Sequence, residues 1–260
     1  MAVINTISKH TINNFPTIWY DITNITTDHF WIQWRQHIFL QLLKKCSIDF
    51  SAPLLGCDIG CGNGLVQTLC EQHTQWIVDG VDINDHALTH NPSLRGETFY
   101  YDINECRSEM EEKYDFLILF DVLEHVEDVP FLDACLHMLK PGGYVFINIP
   151  ALPFCTSKYD EAIGHVRRYT KKGITSLLHK NELRLHVLQY WAMGLIPFAL
   201  CRRLLFGILP LNKDRMIRVG MEPVNSIVDR LFRMLMVAET RLLPTPPIGA
   251  SIMSIATKEQ

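Results

Sequence analysis

The sequence predicts an α/β fold in which a mostly parallel sheet carries helices on both faces. Three observations predict it. The runs LLGCDI (54–59), YDFLILFDV (114–122) and GYVFINIP (143–150) are short and nearly all apolar, which suits strands buried on both faces. Helix-like segments at 64–73, 85–90 and 129–139 alternate with these runs and with the strand candidates QWIVDGVDI (75–83) and ETFYYDI (97–103). The first run passes into CDIGCGNG (57–64), a glycine-rich strand–turn–helix junction. Alternation in this order implies right-handed crossovers between parallel strands.

Taken in chain order, residues 1–53 form a helical segment ahead of the sheet. Within HFWIQWRQHIFLQLLKK (29–45), Phe30, Trp34, Ile38 and Leu42 share one stripe at helical spacing, and Pro53 breaks the chain before the first strand. The core unit spans 54–192. It closes with a polar and aromatic loop (151–170), a helix near 171–181 and the strand LRLHVLQYWA (183–192). Residues 193–247 form an apolar and basic helical insertion. GLIPFALCRRLLFGILPL (194–211) is interrupted by Arg202 and Arg203, which argues against a spanning helix. SIVDRLFRMLMVAETRLL (226–243) sets Ile227, Leu231, Leu235, Ala238 and Leu242 at helical spacing. This insertion reads as a cap over an apolar acceptor, a membrane-facing surface (194–243) or a homodimer face. GASIMSIATK (249–258) alternates, and residues 248–260 return as the last strand of the core.

Composition bounds the function. At 260 residues the chain fits one or two domains, and 48% apolar with 20% charged residues excludes a disordered, collagenous or coiled-coil chain. A net charge of −4 and a pI near 6.2 give no basic field, so no nucleic-acid partner is expected. The eight cysteines form no C-x-x-C pair, which points to free thiols in a reducing cytoplasm. Cys57 and Cys61 lack nearby histidines to complete a zinc set, so no metal is expected. MAVINTISKH carries no apolar stretch of the kind a secretory leader needs.

The chemistry centres on the glycine loop. Gly60, Gly62 and Gly64 permit a tight turn and a close approach of ligand to backbone. Dinucleotide enzymes share such loops, but the spacing here is G-x-G-x-G. Asp58 lies two residues ahead, where a carboxylate would repel a pyrophosphate. It suits a ligand with an ammonium and a sulfonium, and S-adenosylmethionine (SAM) is one. Asp82 ends the second strand 22 residues after Gly60, where an acid can accept both ribose hydroxyls. Ile83 follows it. Asp102 and Ile103 are placed to meet the adenine, with a simple turn role as the competing reading of Asp102. In LFDVLEHVED (119–128), Phe120, Asp121, Leu123 and His125 are assigned to the methionine end. Capping of the next turn competes for Asp121.

At this point the sequence resembles the class I SAM-dependent methyltransferases. The motifs D-I-G-C-G-N-G, V-D-I, D-V-L-E-H and L-K-P-G-G stand over 54–150 in that family's order. It also resembles bacterial small-molecule methyltransferases with HFW…R near the N-terminus and Y-D…G-H-x-R-R-Y after the fifth strand, here His29-Phe30-Trp31 with Arg35, and Tyr159-Asp160…Gly164-His165…Arg167-Arg168-Tyr169. Ubiquinone-pathway O-methyltransferases are a more distant likeness. The resemblance implies a Rossmann-like seven-stranded sheet with an antiparallel last strand, SAM as methyl donor and S-adenosylhomocysteine as product.

His165 is the candidate general base, because histidine titrates near neutrality. Tyr159 and Arg168 join it in the catalytic set; Arg35, Arg167 and Tyr169 form the acceptor-binding set, and Arg167 with Arg168 could clamp an anionic group in bidentate fashion. Each has a plainer reading: His165 and the tyrosines as packing residues, the arginines as partners of Asp160 or Glu161, Arg35 as a surface ion pair. The expected activity is methyl transfer by direct displacement to a small apolar or amphipathic acceptor, lipid-like or anionic, with O- or N-methylation ahead of C-methylation. The expected location is the cytoplasm, with peripheral membrane contact as a variant. A nucleotide-dependent oxidoreductase and a non-catalytic SAM-binding scaffold are the alternatives.

Overall fold

A computed structural model describes residues 4–8, 26–92, 95–209, 211–221 and 226–259. Its strands are β1 (Ile4–Thr6), β2 (Leu55–Ile59), β3 (Ile77–Asp82), β4 (Thr98–Tyr100), β5 (Tyr114–Phe120), β6 (Leu139–Pro150), β7 (Leu183–Trp191) and β8 (Ser251–Lys258). The helices are α1 (Phe30–Lys45), α2 (Leu65–His73), α3 (Asp85–Leu88), α4 (Asp128–His137), α5 (Lys158–Ala162), α6 (Lys171–Lys180), α7 (Ile196–Ile208), α8 (Lys213–Met221) and α9 (Ser226–Leu242).

The strands form one sheet in the order β1-β4-β3-β2-β5-β6-β8-β7. Strand β8 runs antiparallel to both β6 and β7, as an inserted last strand must. The remaining pairs are parallel. The sheet therefore has eight strands, where seven were expected. The addition is β1, which extends the β4 edge with Ile4 opposite Thr98. Three residues are too few for a period to emerge, and the edge register is held by the amides of Ile7 and Ser8 donating to the Tyr100 carbonyl.

The two faces are closed by different helices. On one, Trp34, Ile38, Phe39 and Leu42 of α1 pack with Trp76, Phe116, Phe146 and Trp191. Phe30, Trp34, Ile38 and Leu42 are all buried, as their spacing predicts. On the other, Leu132 and Cys135 of α4 and Ile174 and Leu177 of α6 meet Leu117, Leu119, Val145 and Ile147. With helices on both faces, the β2–β5 switch point opens a crevice at the carboxyl ends of the strands. All eight cysteines are unpaired, and five are buried.

The insertion is helical as predicted, but its apolar faces are divided. Helices α7 and α8 lie over α5, where Phe206 and Ile217 cluster with Tyr159, Ala162 and Ile163. Helix α9 docks through Phe232, whose ring lies 4.7 Å from Phe30 and 5.0 Å from Phe198. Glu239 accepts the Met193 and Gly194 amides at 3.1 and 2.8 Å. These anchors lie off the stripe read from the sequence. Leu235 packs inward, whereas Ile227, Leu231, Ala238 and Leu242 are exposed. Among the described residues, no helix is long and apolar enough to cross a membrane.

Candidate active site

The glycine loop joins β2 to α2 above the switch point. Gly60, Gly62 and Gly64 all have left-handed φ, +70°, +54° and +74°. A Cβ on Gly60 would stand 2.8 Å from a Val122 methyl, and one on Gly64 would stand 2.1 Å from Asn91 Oδ1. The loop is tied to β3: Gly60 and Cys61 donate to the Val81 carbonyl, and Gly62 donates to Asp82 Oδ2 at 2.8 Å. Asp82 Oδ1 accepts the Asn84 amide at 2.9 Å. Both carboxylate oxygens are thus oriented by backbone donors, with accepting capacity left for a hydroxyl donor. Burial raises the Asp82 pKa, and the backbone donors from Gly62, Asn84 and Ile83 oppose that rise.

Asp58 lies beneath this loop, buried, with no hydrogen-bond partner at Oδ2. Burial pushes its pKa up to about 8; the Arg35 charge pulls it down and Asp82 pushes it up. A buried carboxyl without a donor favours a cationic neighbour. The side chain of Asp102 instead accepts the Asn104 amide and caps a short 3-10 turn in which Ile103 is buried. Ile83 is half-buried beside Asp82.

At the end of β5, Phe120 is buried and Asp121 takes a left-handed φ of +60°. For a non-glycine residue that conformation costs roughly 1–3 kcal/mol and persists only where neighbours enforce it. Here Asp121 N–H donates to the Asn148 carbonyl, Asn148 Nδ2 donates to Oδ1 at 2.7 Å, and Arg35 Nη1 donates to Oδ2 at 2.5 Å. Arg35 is buried and also lies over the Phe120 ring. It fastens α1 to the crevice floor; it is neither an exposed surface pair nor free to meet an acceptor.

The 159–169 segment is built around Asp160. Its Oδ2 accepts Ser157 N and Oγ, and its Oδ1 accepts Arg168 Nε at 2.7 Å, with Arg168 Nη2 at 2.6 Å. Burial opposes ionisation of Asp160, but the His165, Arg168 and Ser157 donors outweigh it and hold the carboxyl well below the usual range. His165 Nδ1 is 3.3 Å from Asp160 Oδ1, and its Nε2 is 3.7 Å from Glu124 Oε1. Glu124 is fully buried, with no hydrogen-bond partner on either carboxyl oxygen. Burial, then Asp121, raises its pKa. The His125 ring meets His165 edge-on at 4.8 Å and its Nδ1 faces the Gly164 carbonyl. Burial lowers its pKa to about 4.

The other predicted residues of this segment are engaged. Arg167 pairs with Asp128 at 2.9 Å, and Tyr169 O–H lies 2.8 Å from the same carboxylate and 3.1 Å from the Leu123 carbonyl. Arg168 Nη1 also donates to the Ala151 carbonyl. Neither arginine is left to clamp an anion. Tyr159 is buried against Phe206. The sequence reading missed Asn148, left Glu124 between a site role and capping, and missed that Glu124, His125 and His165 each bring a potential metal-ligating atom within 4.8 Å of one another. Forty residues separate His125 from His165, so no local spacing signals that grouping.

Comparison with known proteins gives a consistent frame. A family model described as a methyltransferase domain matches residues 30–197, more than half of the chain. A ubiquinone biosynthesis O-methyltransferase of Sinorhizobium medicae is 36% identical over 98 residues, 35% of this chain and 38% of that protein. The chain thus spans well under half the length of that curated relative. A SAM-dependent methyltransferase from Archaeoglobus fulgidus superposes with TM-score 0.53 at 18% identity, over 88% of this chain and 98% of that one. Phosphoethanolamine N-methyltransferase 2 of Haemonchus contortus, solved with SAM, gives 0.54 at 15% identity, over 93% and 60%. At these identities the two structures carry the fold alone. The family match, over the segment that holds the glycine loop, Asp82, Asp121 and His165, is the stronger finding: the chain belongs to the methyltransferase-domain family.

Proposed function

We propose that the protein transfers a methyl group from SAM to an oxygen, or a nitrogen, of a small apolar or amphipathic acceptor. The observation that carries this reading is Asp58, a buried carboxyl with an unpartnered oxygen under a glycine cradle. A donor with an ammonium and a sulfonium matches it, and a pyrophosphate does not. O-methylation is preferred because a curated relative that aligns with part of this chain is named as an O-methyltransferase.

In this reading the glycine turn gives close approach and Asp58 holds the ammonium of SAM. Asp82 accepts the ribose hydroxyls, with Ile83 beside it, and Asp102 and Ile103 meet the adenine. Phe120 and His125 close the methionine side. SAM supplies a methyl already activated on a sulfonium, so the protein's work is positioning and exclusion of water. Asp160 accepts from Nδ1–H of His165, which fixes the tautomer and leaves the Nε2 lone pair to take the acceptor's proton. Arg168 and Tyr169 keep that loop in register. Titration with S-adenosylhomocysteine tests the donor site. Binding that raises the melting temperature and is lost in Asp82→Ala supports it; tight NAD(H) binding with none for S-adenosylhomocysteine overturns it.

An anionic membrane surface is the proposed setting. Helix α7 exposes Pro197, Phe198, Cys201, Leu204, Leu205 and Ile208 beside one exposed charge, Arg203. The exposed stripe of α9 adjoins the exposed Arg230 and Arg241. Residues 193–247 hold eight Lys/Arg against four Asp/Glu, while the rest of the chain holds sixteen against twenty-four. Apolar side chains rimmed by arginines suit a helix lying in an anionic interface. Co-sedimentation with phosphatidylglycerol vesicles, weaker with phosphatidylcholine and lost in a Leu204→Glu, Leu231→Glu double variant, is expected. Self-association without vesicle binding would assign the face to a second copy instead.

A further inference from the structure

The two arginines that interrupt the apolar run of α7 have different surroundings. Arg203 is exposed and donates to the Phe154 carbonyl. Arg202 turns inward, with its guanidinium carbon 3.9 Å from the centre of the Tyr159 ring. Its Nε is buried and has no hydrogen-bond partner. Among the described residues, every other arginine that is not exposed has a carboxylate: Arg35 with Asp121, Arg107 with Glu105, Arg167 with Asp128, Arg168 with Asp160, Arg233 with Asp229. Arg202 has only the face of a tyrosine.

The nearby acid is already used. Asp160 attracts Arg202, but its oxygens accept from Ser157, His165 and Arg168. Burial disfavours the Arg202 cation, and Arg168 repels it. A guanidinium offers five donors in a planar fork, and a stacking ring satisfies none of them. Tyr159 and Asp160 are consecutive, so the unpaired fork lies beside the residue that orients His165.

We propose that Arg202, stacked on Tyr159, forms the subsite for a carboxylate carried by the methyl acceptor. This rests on the reading of the chain as a methyltransferase for an amphipathic acceptor, and it moves the anion contact from Arg167 and Arg168, which are paired, to Arg202. One planar monocation matches one planar monoanion through two parallel hydrogen bonds. A phosphate dianion would call for a second free cation beside Arg202; Arg168 is already neutralised by Asp160, and Arg203 is exposed and donates to the Phe154 carbonyl. Phe206 and Ile217, packed around Tyr159, give the apolar surroundings for the rest of the acceptor.

The test titrates the protein, saturated with S-adenosylhomocysteine and then without it, with octanoate and with octanamide. Wild-type protein is expected to bind octanoate at least tenfold more tightly than octanamide. Arg202→Met should lose that preference by weakening octanoate alone, while Arg203→Met keeps it. S-adenosylhomocysteine binding should be unchanged in both, so a failure of the donor site is read separately. Because Arg202 has no protein carboxylate, the ligand-free Arg202→Met protein should melt no lower than wild type. Equal binding of octanoate and octanamide by the wild type, or full octanoate binding by Arg202→Met, would overturn the subsite. A melting temperature several degrees lower in Arg202→Met would also overturn it, since the arginine would then be a structural fastener.

Discussion

The two halves of the crevice handle charge in opposite ways. Around the glycine loop a buried acid, Asp58, has an unpartnered oxygen while its neighbour Asp82 is fixed by backbone amides. Over the 159–169 segment the acids are committed: Asp160 to Ser157, His165 and Arg168, and Asp128 to Arg167 and Tyr169. There the unpaired group is a cation, Arg202. Buried charges are costly unless paired. Most of them are paired here, and the unpartnered atoms on Asp58 and Arg202 point to ligand charges of the other sign; Glu124, also unpartnered, lies beside His165, and burial disfavours its charge. In the proposed reading the donor side takes a cation and the acceptor side an anion.

The contrast can be broken by substitution. The largest effect belongs to the paired side. Asp160→Asn leaves Arg168 buried without its carboxylate, and unfolding in denaturant should show a loss of roughly 3–5 kcal/mol. A wild-type midpoint would mean that the loop is not held as described. On the donor side, Asp82→Ala removes both oxygens that orient the loop. Affinity for S-adenosylhomocysteine should fall about a hundredfold, roughly 2.7 kcal/mol, and the melting temperature should drop as the Gly62 and Asn84 amides lose their acceptors.

Smaller effects sharpen the comparison through pH. His125 titrates at about 4 when folded, against 6.5 ordinarily. The unfolded chain therefore binds more protons between those values, and stability falls as pH drops through that window. His125→Gln should flatten this acid slope in a series of melts. Asp58 acts in the other direction. Its folded pKa near 8 stands above the ordinary 3.8, so its contribution is lost as pH rises from about 4 to about 8. Asp58→Asn should remove that alkaline loss in the ligand-free protein. An unchanged slope in either variant would show that the group does not carry the titration assigned to it.

Much of this molecule is legible in its sequence where the signal is local. The α1 stripe, the apolar strands and the glycine loop follow from spacings of a few residues. Contacts that build the acceptor side join distant positions: Arg35 and Asp121 are 86 residues apart, and Arg202 and Tyr159 lie on different helices. No period links them, so paired arginines looked available to an anion and the unpaired one looked like an interruption. The α9 stripe teaches a related lesson. Helical spacing of apolar residues gives the helix, but Phe232 and Glu239 decide which face turns inward.

The central claim is that SAM's cationic end answers Asp58, and one calorimetric measurement tests it most directly. S-adenosylhomocysteine, which keeps the ammonium, is titrated at pH 7 in two buffers of different ionisation enthalpy, with wild-type protein and Asp58→Asn. With a folded pKa of about 8, Asp58 is mostly protonated before binding. The account predicts tight binding, release of close to one proton from wild type, and weaker binding without proton release from Asp58→Asn. Binding with no buffer dependence and equal affinity in the variant would contradict it.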